Sequence, residues 1–119
     1  MSKVLVIGAS EKTERCSNRA IRLLNSKGHQ VLALGRRSGE VDGIQIDTGQ
    51  PVYEDLDTIS LYVGPQNQHE YEDYILSLNP RRVIFNPGTE NAELSEKMNQ
   101  AGIETEDACT LVLLSLDAF

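Results

Sequence analysis

The sequence predicts a three-layer α/β domain, an open parallel sheet of about five strands with helices on both faces. Three observations predict it. Unbroken aliphatic runs recur along the chain, as fully buried parallel strands require. Apolar residues between those runs recur at helical spacing, and glycines or an Asn-Pro step stop each pattern before the next begins. The 119 residues, 39% hydrophobic and 24% charged, match one globular domain spanning 1–119, with no repeat, linker or low-complexity segment.

Lys3 to Ile7 is an aliphatic run ending at Gly8 and reads as the first strand. Cys16, Ala20, Ile21 and Leu24 then recur at helical spacing, and Lys27-Gly28 supplies a cation and a glycine stop. Gln30 to Leu34 is a second buried strand, which makes the opening a βαβ unit. From Arg36 to Thr58 glycines punctuate a short alternation around Val41, Ile44 and Ile46. This segment predicts a loop with a short strand or hairpin, and at most a helical turn near Tyr53 to Leu56. Ile59 to Gly64 gives a third core strand, and Pro65 opens a helix whose Tyr71, Tyr74, Ile75 and Leu78 form one apolar face. Asn79-Pro80 ends it. The run RRVIFNPG is a fourth strand closing on a turn, and Leu94, Met98 and Ala101 mark a helix stopped by Gly102. Ile103 to Glu106 reads as a short fifth strand and CTLVLLSLDAF as an apolar terminal helix.

Eleven Lys and Arg against eighteen Asp and Glu give a net charge of -7, which argues against a nucleic-acid surface, since such a surface needs a basic face. No apolar run approaches the length of a membrane span, and VLVIG is too short for a signal-peptide core, so the expectation is a cytoplasmic protein. Cys16 and Cys109 have no metal-ligand spacing and fit free thiols in a reducing compartment. His29 and His69 form no metal cluster either.

If the sheet is doubly wound, ligands belong at the carboxyl ends of its strands. Those ends are Gly8-Ala9-Ser10, Leu34-Gly35-Arg36, Val63-Gly64-Pro65 and Asn86-Pro87-Gly88. The loop GASEKTERCSNRA joins the first strand to the first helix, where amides and the helix dipole favour a phosphate. Ser10, Thr13, Ser17 and Asn18 add donors there, and Arg15 and Arg19 add charge. The loop carries the first glycine of a dinucleotide fingerprint without the full G-x-G-x-x-G set. A plain βα turn whose Ser17 or Asn18 caps the helix explains the same residues equally well. After the second strand, an NAD site places an acid on the ribose hydroxyls. This chain has Arg36 and Arg37 instead, a pair that suits an extra ribose phosphate, as in NADP or coenzyme A, or that is simply solvated.

The order GAS, Glu14-Arg15 and Ser17, HQVLALGRR, the NPG turn and the ending EDACT resembles the small stand-alone coenzyme A-binding proteins. These in turn are similar to the nucleotide-binding domain that begins the succinyl-CoA synthetase α subunit. The resemblance covers essentially the whole chain and implies a Rossmann-like domain. It also implies phosphate contacts from Gly8, Ala9, Ser10, Arg15 and Ser17, and a segment flanking the nucleotide at Gly35, Arg36 and Arg37. The family commonly has Val-Asn-Pro in that segment, and this chain has neither the Asn nor the Pro. Val63, Gly64 and Pro65 match the end of the third strand, Asn86, Pro87 and Gly88 the fourth, and Cys109 the Cys of an Asp-x-Cys segment. The phosphohistidine and partner subunit of the synthetase have no counterpart here. The short length therefore reads as a binding domain without the catalytic half.

No Ser-His-Asp set, paired carboxylates or metal cluster can be named, so the expectation is ligand binding without catalysis. Cys16 and Cys109 read as small structural residues more readily than as reactive thiolates. Leu111 to Leu116 either covers the sheet or presents a homodimer or partner surface, and covering the sheet is the simpler account. Three functions follow from the sequence. One is a coenzyme A-binding module, another an NADP-linked or redox-sensing protein using the same loop, and a third a partner module that binds no nucleotide.

Overall fold

The computed structural model describes residues 2–119. Its strands are β1 (Lys3–Ile7), β2 (Gln30–Leu34), β3 (Gly39–Val41), β4 (Ile44–Asp47), β5 (Thr58–Leu61), β6 (Arg82–Phe85) and β7 (Glu104–Asp107). The helices are α1 (Cys16–Ser26), α2 (Glu72–Leu78), α3 (Ala92–Gln100) and α4 (Thr110–Ser115), with a 3₁₀ segment over Pro65–Tyr71 leading into α2. The seven strands form one sheet in the order β3-β4-β2-β1-β5-β6-β7. The expectation of about five strands is thereby corrected. The five predicted strands are all present, and the weakly patterned segment after β2 adds two more strands to the same sheet. Asp42 (φ 54°) and Gly43 (φ 82°) make the tight turn between β3 and β4, where left-handed backbone favours an Asp-Gly pair. β4 then pairs parallel with β2 through Ala33 and Ile46, and only β3 runs antiparallel.

Without β3, the six parallel strands take the spatial order third, second, first, fourth, fifth, sixth, the doubly wound Rossmann order. Alternation along each strand divides the core between two faces. Leu5, Ile7, Ile59, Leu61, Val83 and Phe85 point to the side covered by α2 and α3, where Ile75, Leu94 and Met98 are buried against them. Val4, Val6, Ala33 and Ile46 point to the other side, under Ile21 and Leu24 of α1 and Leu114 of α4. β7 closes one edge with Glu104, Glu106 and Asp107 exposed, charges that discourage further strand pairing.

Two helices differ from the sequence pattern. The stretch from Pro65 begins as a 3₁₀ segment, within which the Gln68 side chain is buried and bonded away from the helix. Its amide donates to Val63 O at 2.8 Å and Thr89 O at 2.6 Å, and its Oε1 accepts from Asn91 Nδ2 at 2.9 Å. The terminal helix stops at Ser115, shorter than its apolar run suggests. Asp117 turns left-handed (φ 53°), Ala118 N–H donates back to Leu113 O at 2.8 Å, and Lys27 Nζ pairs with the Asp117 carboxylate at 2.9 Å. The chain then returns to place Phe119 beneath the Arg82 guanidinium, 4.8 Å from the ring centre, and edge-on to His29.

Candidate functional site

The strand order reverses between β1 and β5. The chain leaves β1 for α1 on one face and leaves β5 for α2 on the other, so the two connections part and open a crevice. A cleft of about 560 Å³ lies there. It brings together Gly8, Ala9, Ser10 and Arg15 from the first loop, Arg36 and Arg37 after β2, and Val63 and Gly64 after β5. Ser17, Gly35, Pro65, Asn86, Pro87 and Gly88 lie outside this lining.

Backbone contacts explain the first loop. Gly8 has φ 97°, and a Cβ there would lie 2.9 Å from Tyr62 O, so both conformation and space require glycine. The amides of Gly8 and Ala9 both donate to Leu34 O, at 2.9 and 3.0 Å, which pins the loop to β2 and commits these two donors to the sheet. The amides of Ser10 and Glu11 have no acceptor among the described residues. At the start of α1 the cap position is Arg15, which makes no side-chain cap, and the first turn contains no acid. Neither Ser17 nor Asn18 caps the helix. Asn18 instead donates to Ser10 O at 2.9 Å and accepts from Arg22 Nε at 2.8 Å, folding the loop over the helix end. The cleft therefore meets an uncapped helix N-terminus carrying the positive end of its dipole.

The charges in the cleft oppose those of the whole chain. Lys12, Arg15, Arg36 and Arg37 line it, against the single carboxylate of Glu11. Glu11 is itself engaged, accepting from Glu40 N–H at 2.9 Å. Arg36 Nη2 pairs with Glu70 Oε1 at 2.7 Å, whereas Lys12, Arg15 and Arg37 have no carboxylate partner among the described residues. Tyr62, just after β5, completes the lining. Its hydroxyl is buried beside the Ser60 and Thr110 hydroxyls without a well-formed hydrogen bond to either, and burial pushes its pKa up to about 12.

Two of the residues outside the lining, Gly35 and Asn86, hold the frame. Gly35 is where β2 crosses the first loop, and a Cβ there would lie 2.5 Å from Ala9 O. Asn86 is fully buried at the end of β6; it donates to Ser60 Oγ at 2.9 Å and Leu61 O at 3.0 Å, and accepts from Thr110 N–H at 2.8 Å. Thus the NPG turn and the EDACT ending are bonded to each other and fix the start of α4. Cys16 is exposed in the first turn of α1, Cys109 is half-buried before α4, and both are free thiols. Sequence reasoning did not single out Glu11, Lys12, Ser38, Tyr62, Asn67 or Tyr71 as lining. Lys12 was within reach as a further cation of the first loop. Tyr71 was not, because its helical spacing points equally to the core.

A family described as CoA binding domain matches residues 2–115. No curated protein matches the sequence. Among solved structures, an uncharacterized protein is 50% identical with a TM-score of 0.97, over 100% of this chain and 98% of its own. A hypothetical protein from Pyrococcus horikoshii OT3 is 26% identical with a TM-score of 0.83, over 93% and 80% of the two chains. A dinucleotide forming acetyl-coenzyme A synthetase 1 from Ca. Korarchaeum cryptofilum shares the fold at 19% identity and a TM-score of 0.72, over 90% of this chain but 25% of the synthetase.

Proposed function

The chain belongs to the CoA binding domain family, and from that membership we propose that it binds coenzyme A or an acyl-CoA in the cleft at the strand-order reversal, without catalysis of its own. The observation that carries this is the inversion of charge. A protein of net charge -7 gathers Lys12, Arg15, Arg36 and Arg37 around one crevice of about 560 Å³, a site suited to an anionic ligand.

In this reading the pyrophosphate takes the amides of Ser10 and Glu11 and the open first turn of α1, with Arg15 and Lys12 supplying charge. Gly8 and Ala9 let the ligand approach closely without donating to it. Arg36 and Arg37 take the ribose phosphate. Coenzyme A, once bound, presents a thiol for acyl transfer. His29 and His69 both lie outside the cleft lining.

Calorimetric titration with coenzyme A, dephospho-coenzyme A and NADPH tests the proposal. Coenzyme A is expected to bind at least tenfold more tightly than its dephospho form, because a charge-assisted phosphate contact contributes about 1.5–3 kcal/mol. Equal affinities would remove Arg36 and Arg37 from the site. Binding of NADPH alone would establish the NADP reading that the same arginines permit. Binding of none of the three would leave the partner module.

A further inference from the structure

The adjacent arginines after β2 are not equivalent. Arg37 has no carboxylate partner among the described residues, while Arg36 holds Glu70 at 2.7 Å, with the two side chains 66% and 45% exposed. This ion pair stands between the cleft and a smaller recess of about 290 Å³ beyond it, which Thr48, Gly49 and Gln50 line on the far side. Arg36 and Tyr71 line both spaces.

The placement of Glu70 is built in. It belongs to the 3₁₀ segment, whose buried Gln68 is locked by three hydrogen bonds, and its own carbonyl accepts from Gln50 Nε2 at 3.3 Å. Its carboxylate therefore faces Arg36 from a backbone held on both sides. An anion entering the cleft meets Arg37 with its charge uncompensated but can engage Arg36 only by replacing that carboxylate.

We propose that Glu70 is a specificity-determining residue that acts as an internal competitor for Arg36, so that the protein discriminates between ligands with and without a ribose phosphate less sharply than two unpaired arginines would. The inference rests on the binding reading above and concerns one phosphate of that ligand. Replacing the carboxylate releases Arg36 for the phosphate, whereas a ligand lacking the group gains nothing.

The test is titration of the full chain and its Glu70→Gln variant with coenzyme A and dephospho-coenzyme A, repeated in an Arg36→Ala background. An exposed ion pair contributes at most about 1 kcal/mol, so the variant should fold normally and bind coenzyme A up to about fivefold more tightly. Dephospho-coenzyme A affinity should stay within about twofold, and the gain should vanish when Arg36 is absent, as the coupling of two contacting residues requires. Unchanged or weakened coenzyme A affinity in Glu70→Gln overturns the proposal while leaving the binding reading intact. So does a gain that persists without Arg36, or one shared equally by both ligands. If the wild-type chain binds neither ligand, the binding reading fails and takes this proposal with it.

Discussion

Gly8 carries two constraints at once, a left-handed φ of 97° and the approach of Tyr62 O to 2.9 Å of where a Cβ would be. Gly8→Ala is expected to destabilise the fold by about 1–3 kcal/mol, the usual cost of strained backbone, seen as a lower urea midpoint at unchanged slope. Asn86 carries a different load. Its side chain joins β6, β5 and α4 through three buried hydrogen bonds, so Asn86→Ala leaves the Thr110 amide and Ser60 hydroxyl short of partners. A loss of about 2–4 kcal/mol is expected, with the same denaturant measurement as the check. The sequence pointed to Asn86 through the NPG turn at a strand end. Its buried side chain also bonds to α4, which sequence spacing cannot reveal because its partners lie 24 to 26 residues away.

Pairs of elements are tied at the edges by charge, and their pH responses have opposite origins but the same sign. Asp57, just before β5, accepts from Arg81 Nε at 2.7 Å, and that guanidinium lowers its pKa from 3.8 to about 2. The unfolded chain therefore binds more protons between these values, so this contribution is present above about pH 4 and is lost as pH falls toward 2. Asp57→Asn should remove that acid limb from a plot of urea midpoint against pH. His29, at the turn from α1 to β2, accepts the Ser2 amide on Nδ1 at 3.1 Å, and burial lowers its pKa below 6.5. Protonation breaks that bond, so stability declines as pH falls below 6.5, and His29→Gln should flatten the decline. The hairpin of β3 and β4 shows how far element-scale patterns reach. Its short alternation around Val41, Ile44 and Ile46 predicts a strand or hairpin, but strands of three and four residues carry too little pattern to show that they join the main sheet.

Across the whole molecule, a net charge of -7 and a cationic cleft act on an anionic ligand in opposite directions. The cleft is within contact distance, while the remaining acids are spread over the surface and screened within about 10 Å at 0.1 M salt. Coenzyme A affinity is therefore expected to fall as salt rises from 50 to 300 mM. An affinity that rose with salt would mean that long-range repulsion outweighs the cleft. Saturation should also stabilise the fold, by about 2.7 kcal/mol at a hundredfold excess over Kd, or roughly 10 °C in Tm, readable by thermal shift.

Local sequence determined much of this protein. The four aliphatic runs, the helical spacings between them and the loop chemistry at three strand ends each depend on residues close in the chain, where period and turn preference act directly. Tertiary structure alone decided the rest. It placed the hairpin in the main sheet, set Glu70 against Arg36 across 34 residues, and turned the NPG corner into the anchor of α4. It also committed the Gly8 and Ala9 amides to β2, leaving Ser10, Glu11 and the uncapped helix end to face the cleft. These outcomes depend on which distant groups meet when the sheet closes, and a hydrogen bond or ion pair between elements leaves no periodic trace in either segment.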